Sequence, residues 1–267
     1  MSAMSRIVIL VRKEWEDLFR QWTIVGSVVL TPLLFAGMGG GTIWGISGQI
    51  EAEDMIQEGA ELQQLAGSIC DGLGELACVE AYMGTIFLLM FMIVPVLIPS
   101  IFAAHSVAGE RNERTLEPLL ATPIETWELL LGKCVAAAIP AIAATWLGAG
   151  VMFALLAATA SPAAFGRLLS PMWALAILGV GPLLAIFAVL AALMVSSRTS
   201  DPRVAQQLSG AVVMPIVLLL IGQSLGLMVV NPTLVAIAAG TLTIANVGMG
   251  WLAVQVFERE AILTRWS

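Results

Sequence analysis

Charge is what this chain has least of. Only 12% of its 267 residues are Asp, Glu, Lys or Arg, against about 25% in soluble domains, while 59% are hydrophobic. With a mean hydropathy of +0.94, the chain belongs in lipid, as one polytopic membrane domain over residues 1–267 with little length left for a soluble enzyme. Histidine occurs once, at His105, which excludes a multi-histidine metal centre within one chain. Lysines and arginines form no cluster beyond a short N-terminal set, so nucleic-acid binding has no support. The G-x-x-x-x-G-K-[ST] phosphate loop is also missing: Gly132-Lys133 lacks the upstream glycine and is followed by Cys134. No ATP-hydrolysing site is therefore expected in this chain.

What is present is a set of long apolar runs. A membrane-crossing helix needs about 20 apolar residues for a hydrocarbon core of about 30 Å. Six candidates fit: Trp22–Ile46, Tyr82–His105, Cys134–Ala160, Pro171–Val195, Leu208–Val230 and Thr233–Phe257, none interrupted by a charged side chain. The last two are divided only by Asn231-Pro232, so that stretch holds two spans with a tight turn, which is the preferred reading, or one span and a re-entrant segment. Basic residues favour the cytosolic side of a membrane. With the N-terminus inside, 11 of the 12 lysines and arginines fall on inner segments, Arg167 alone falling outside. Both termini are then cytosolic.

Before the first span, Ile7, Leu10, Val11, Trp15, Leu18 and Trp22 recur at helical spacing, with Arg6, Arg12, Lys13, Glu16, Asp17 and Arg20 largely on other faces. Residues 1–21 are therefore expected to form an amphipathic helix lying on the inner leaflet. The outer loop, 47–81, carries eight acidic residues, including Asp71, Glu75 and Glu80, and no basic one. It reads as a solvated face of short helices. Cys70 and Cys78 lie in this loop, where a disulfide can persist; they either bond or remain separate thiols.

The most informative stretch is Gly109–Lys133, GERNERTLEPLLATPIETWELLLGK, a charged inner segment between two apolar runs. Thr122-Pro123-Ile124-Glu125 has the form of a capping box with proline at the first helical position, which predicts a helix from Pro123 into the third span. Upstream, Thr115, Glu117 and Pro118 start a short helix ending near Ala121, with Leu116, Leu119 and Leu120 able to fill a groove. Two such helices meeting at Thr122-Pro123 make a stiff elbow.

This segment resembles the intracellular loop of ABC-2-type transporter permeases. The shared features are a glutamate-rich start, a Thr-Leu-Glu, a Thr-Pro and a Gly-Lys in this order; Arg114 departs from the glycine often found before the Thr-Leu-Glu. The resemblance implies an all-α protein with six transmembrane helices, an N-terminal interfacial helix that helps seat an ATPase, and a cytosolic coupling helix within 108–133. It further implies two copies of a separate ATP-binding subunit, which would hold the ATP and magnesium. A second permease copy, identical or related, would complete the complex in the plasma membrane of a prokaryote. On that reading Glu110, Arg111, Glu113, Arg114, Thr115, Leu116, Glu117, Leu120 and Pro123 would couple the ATPase to the spans.

Inside the spans, serines and threonines bond readily to their own helices. Gln223, Ser224 and Asn246 are left as candidates for a polar patch on a translocation path. Gly37, Gly41 and Gly45, and again Gly222 and Gly226, repeat at the spacing that lets helices approach closely, inside the subunit or at a dimer seam. With no carboxylate expected inside the membrane, ion pumping is disfavoured. The expected cargo is lipid-like, lipid-linked or a hydrophobic drug, moved outwards and bound amid membrane lipid. Two alternatives share the scaffold: a heme- or cytochrome-assembly permease using His105, and a sensory membrane subunit that moves nothing. An intramembrane enzyme lacks acid–base machinery here.

Overall fold

The computed structural model describes residues 3–20, 22–49, 69–99, 102, 125–196, 207 and 210–256. Among these the regular elements are all helical. In chain order they are α1 (Ala3–Phe19), α2 (Trp22–Gln49), α3 (Glu75–Phe91, resuming after a break as far as Pro99), α4 (Thr126–Thr159) and α5 (Pro162–Leu168). They continue with α6 (Pro171–Ser196), α7 (Met214–Ser224, led in by a 3-10 turn at Gly210–Val213) and α8 (Pro232–Val256).

Among the described residues, five helices are long and apolar enough to cross a membrane: α2, α3, α4, α6 and α8. The apolar helix Gly210–Ser224 is shorter; its 15 residues rise about 22 Å at about 1.5 Å each. The second span begins at Glu75, seven residues before the expected Tyr82, and so takes Glu75 and Glu80 out of the acidic loop. The third begins at Thr126 with Glu125 as its N-cap, not at Pro123 with Thr122 as cap. Glu125 is extended, its carboxylate accepts from the Glu128 amide, and its own amide donates to Glu128 Oε2 at 3.0 Å. Glu-Thr-Trp-Glu thus forms a capping box three residues downstream of the expected one. Glu128 wins because Arg6 also holds it in place.

Prolines inside the spans set the local geometry. Proline donates no amide hydrogen and crowds the carbonyl four residues back. α3 accordingly breaks at Met92-Ile93, just before Pro95. In α6 the π turn Ala176–Val180 precedes Pro182, and the Gly181 amide donates to Ala176 rather than Ile177. Pro182 cannot supply the next donor, so the Ile177 carbonyl has no partner in its own helix. Trp146 of α4 donates its indole N–H to it at 3.3 Å.

α2 and α4 form the most extensive helix pair, and α3, α6 and α4 close around a core of Phe91, Leu88, Met152, Leu156, Trp173 and Leu193. Gly148 of α4 is the tightest approach: a Cβ there would lie 2.3 Å from the Pro32 ring and 3.2 Å from Phe91. Gly39 and Gly40 of α2 likewise meet Met152 and Leu155, whereas a Cβ at Gly37, Gly41 or Gly45 would have nothing within 4 Å. The expected small-residue stripe of the first span therefore points away from the subunit's own helices.

Opposite the N-terminal helix, one end of the bundle is closed by a stapled cap. Cys70 and Cys78 are disulfide-bonded across a turn that needs Gly72 at φ 74°. Arg167 donates to the Asp71 carbonyl. Buried Glu80 accepts from the Ser161 amide at 2.8 Å, at the start of α5. α7 ends here in a Schellman motif: Leu227 donates to the Gly222 carbonyl and Gly226, at φ 68°, donates to that of Gln223. Gly226 is thus a turn residue and not half of a helix-packing pair. Tyr82 donates its hydroxyl to the Gln223 carbonyl at 3.2 Å, tying this turn to α3.

Because the Pro32 ring is rigid, Gly148→Ala is expected to cost about 2 kcal/mol. Gly150→Ala, on the open side of the same helix, should be neutral. Thermal unfolding of the purified variants in detergent checks the difference.

Candidate functional site: the N-terminal helix on the base of the third span

α1 presents Ile7, Leu10 and Glu14 at helical spacing to the first two turns of α4, and all three are buried. Leu10 sits on Gly132, where a Cβ would come within 2.5 Å of the leucine. Two ion pairs fasten the contact. Lys133 Nζ donates to Glu14 Oε1 at 2.8 Å, with the side chains 2% and 11% exposed. Arg6 Nη2 donates to Glu128 Oε1 at 2.6 Å, with Glu128 1% exposed. Donating to the Glu128 carboxylate holds the Arg6 guanidinium above its ordinary range.

A third bond has the same logic as the one at the π turn. Pro140 removes the donor that the Ala136 carbonyl would have met in α4. Trp15 of α1 donates its indole N–H there at 3.0 Å. Two tryptophans on different helices therefore satisfy carbonyls that two prolines leave open, as a site without water requires. α1 is amphipathic as expected, but its docked face carries an acid. Glu14 stands four residues after Leu10 and seven after Ile7, and that periodic position was the signal for a buried partner.

The base of α4 is where the expected coupling segment joins the bundle. Glu110, Arg111, Glu113, Arg114, Thr115, Leu116, Glu117, Leu120 and Pro123 lie outside the described residues, as does His105. The described neighbour of that segment, Glu125, also accepts from the Trp127 indole.

The three expected path residues are not brought together. Gln223 is buried and its Oε1 accepts from the Val230 amide at 3.0 Å, holding the turn between α7 and α8. Ser224 bonds to Leu220 of its own helix. Asn246 lies 14 residues into α8, about 21 Å along it, and donates to the Leu183 carbonyl of α6 at 3.0 Å. Its Oδ1 and the Nε2 of Gln223 are buried without a partner. Nor are the spans free of charge: Glu80, Glu128 and Lys133 are buried within α3 and α4. All three lie near the starts of their helices, outside the apolar runs Tyr82–His105 and Cys134–Ala160. These groups were hidden in sequence because the helices reach further into the flanking segments than their apolar runs do. Among the described residues no group of three or more His, Cys, Asp or Glu could hold a metal ion.

Two apolar cavities accompany these contacts. An open groove of about 540 Å³ lies between α4 and the start of α6, beside Trp146, Phe153 and Leu178. A more enclosed cavity of about 260 Å³ lies among α3, α6, α7 and α8.

Helices of this length and apolarity, with polar groups paired inside the bundle, define a multi-pass helical membrane protein. The chain matches the sequence profile of the ABC-2 family transporter proteins over residues 8–246, and it belongs to that family. Members are transmembrane components of ABC transporters, working with an ATP-binding subunit. A comparison with curated proteins gave no match.

Replacing Lys133 with Met removes the ammonium that pairs with the Glu14 carboxylate in a buried contact. It should lower stability by about 3 kcal/mol, and Glu14→Lys combined with Lys133→Glu should recover most of the loss. Trp15→Phe, which leaves the Ala136 carbonyl without a donor, should cost about 1 kcal/mol. Thermal unfolding in detergent reads all of these variants.

Proposed function

We propose that this chain is the permease subunit of an ATP-driven exporter, moving a lipid-like, lipid-linked or hydrophobic drug-like molecule out of a prokaryotic cytoplasm. The family match over residues 8–246 carries this reading. In it, two ATP-binding subunits hold ATP and magnesium and engage Glu110–Ala121, while a second permease copy faces the first. Closure of the ATPases moves the coupling segment. Because α1 is fastened to the base of α4 by Glu14–Lys133 and Arg6–Glu128, that motion passes to two elements as one.

Six crossings are supported by one bond. Tyr82, near the disulfide-bearing start of α3, meets Gln223 at the end of α7. α6 runs the other way, from Arg167's end of the bundle, so the chain must return between Ser196 and Gln223. An even number of crossings keeps both termini on one side. Two independent signs support that side being the cytosol: Arg6, Arg12, Lys13 and Arg20 gather on it, and the Cys70–Cys78 disulfide lies opposite. Of the candidate path residues, Asn246 has the buried, unpartnered Oδ1 that a cargo's donor could meet.

In vesicles, the chain alone should hydrolyse no ATP, and adding the ATP-binding subunit should produce hydrolysis that rises with cargo. Changing Glu110, Arg111 and Glu117 should reduce that stimulation at least tenfold while membrane insertion stays normal. Unaltered stimulation after deletion of 110–121 would refute the arrangement. Orientation is checked by cysteine labelling in a Cys134→Ser background. Gly166→Cys should react with an impermeant maleimide in intact cells, and Arg12→Cys only after permeabilisation.

A further inference from the structure

A partly open cavity among α3, α6, α7 and α8 is lined by Leu89, Trp173, Val180, Phe187, Ile216 and Leu242, among others. It holds no charged side chain and no side-chain amide. Thr241 supplies its one hydroxyl, and that hydroxyl donates to the Ile237 carbonyl of its own helix at 2.9 Å. Water needs two to four polar partners to settle in a cavity, and an apolar cavity of about 150 Å³ stays dry and takes up benzene. At about 260 Å³ this one is larger, and the solvent around it is hydrocarbon.

Its shape narrows the occupant. Trp173 is two residues into α6 and Phe187 sixteen, so the lining extends from about 3 Å to about 24 Å below the disulfide-bearing end. The π turn contributes Ala176 and Val180 to the wall, where the wider coil of α6 alters the packing against α8. A slot running along the helices, apolar but for the Trp173 indole N–H and the Thr241 hydroxyl, suits a linear chain and excludes a charged headgroup.

We propose that this cavity binds one hydrocarbon chain, the acyl tail of a membrane lipid, whose headgroup stays outside it. The site depends on the chain spanning a bilayer and not on transport. Whether the tail belongs to a resident lipid or to a cargo is a separate distinction with the same binding chemistry.

The full chain is reconstituted in vesicles containing a phosphatidylcholine with a diazirine near one acyl terminus, irradiated, and mapped by peptide mass spectrometry. Adducts are expected on Leu89, Phe187 and Leu242. Ala238→Leu and Ala176→Leu, filling the cavity from different helices, should each reduce those adducts at least fivefold. Adducts on outward-facing Ile244 and Val247 should change less than twofold. The wild-type map needs no variant, so it stands even if one replacement fails to fold. Absence of wall adducts in the wild type, or wall adducts undiminished in both folded variants, overturns the site. With the ATP-binding subunit and Mg-ATP added, a fall in wall labelling assigns the tail to cargo. Unchanged labelling assigns it to resident lipid, and either result retains the site. A failure of ATP-driven transport would leave the nucleotide-free map intact, so the two readings fail separately.

Discussion

The ammonium of Lys133 and the carboxylate of Glu14 meet 2.8 Å apart with almost no access to solvent. Taking an ion out of water costs several kcal/mol, recovered only by close pairing and further hydrogen bonds. The same constraint reaches every polar group in the bundle, because hydrocarbon offers no replacement partner. Trp15 and Trp146 donate to carbonyls opened by Pro140 and Pro182; Glu80 accepts from the amide that starts α5; Gln223 holds the turn before α8. All but the last of these join elements distant in sequence, so satisfying the polar groups also fixes the tertiary arrangement.

These bonds are unevenly distributed. One end of the bundle is locked where α1 lies on α4, the other where the disulfide, Arg167, Tyr82 and Gln223 converge. Between them α3 breaks, α6 widens into a π turn and an apolar cavity opens. A bundle pinned at both ends and loosely packed in its middle can pass a push through rigid ends while its centre changes shape. That is the mechanical arrangement expected of a protein moved by a partner.

Much of this was legible in the sequence. Apolar runs marked the spans, and Asn231-Pro232 marked the turn before α8, with the Asn231 side chain accepting from Leu234. Helix ends were less legible: local chemistry ranks Thr122-Pro123 as the start, whereas the helix begins at Thr126 with Glu125 as its cap. Arg6, 122 residues away from Glu128, reverses that ranking. Glu80 read as part of a solvated face because its neighbours are acidic, yet it is buried under α5.

The sequence by itself determined that the chain lives in a membrane, how its helices are spaced and which family it resembles, because hydropathy and capping act over a few residues. Only the tertiary structure decided which charges are buried, which carbonyls need an indole and where a cavity is left. Those outcomes depend on partners from 31 to 122 residues apart, and no local pattern records the distance at which they meet.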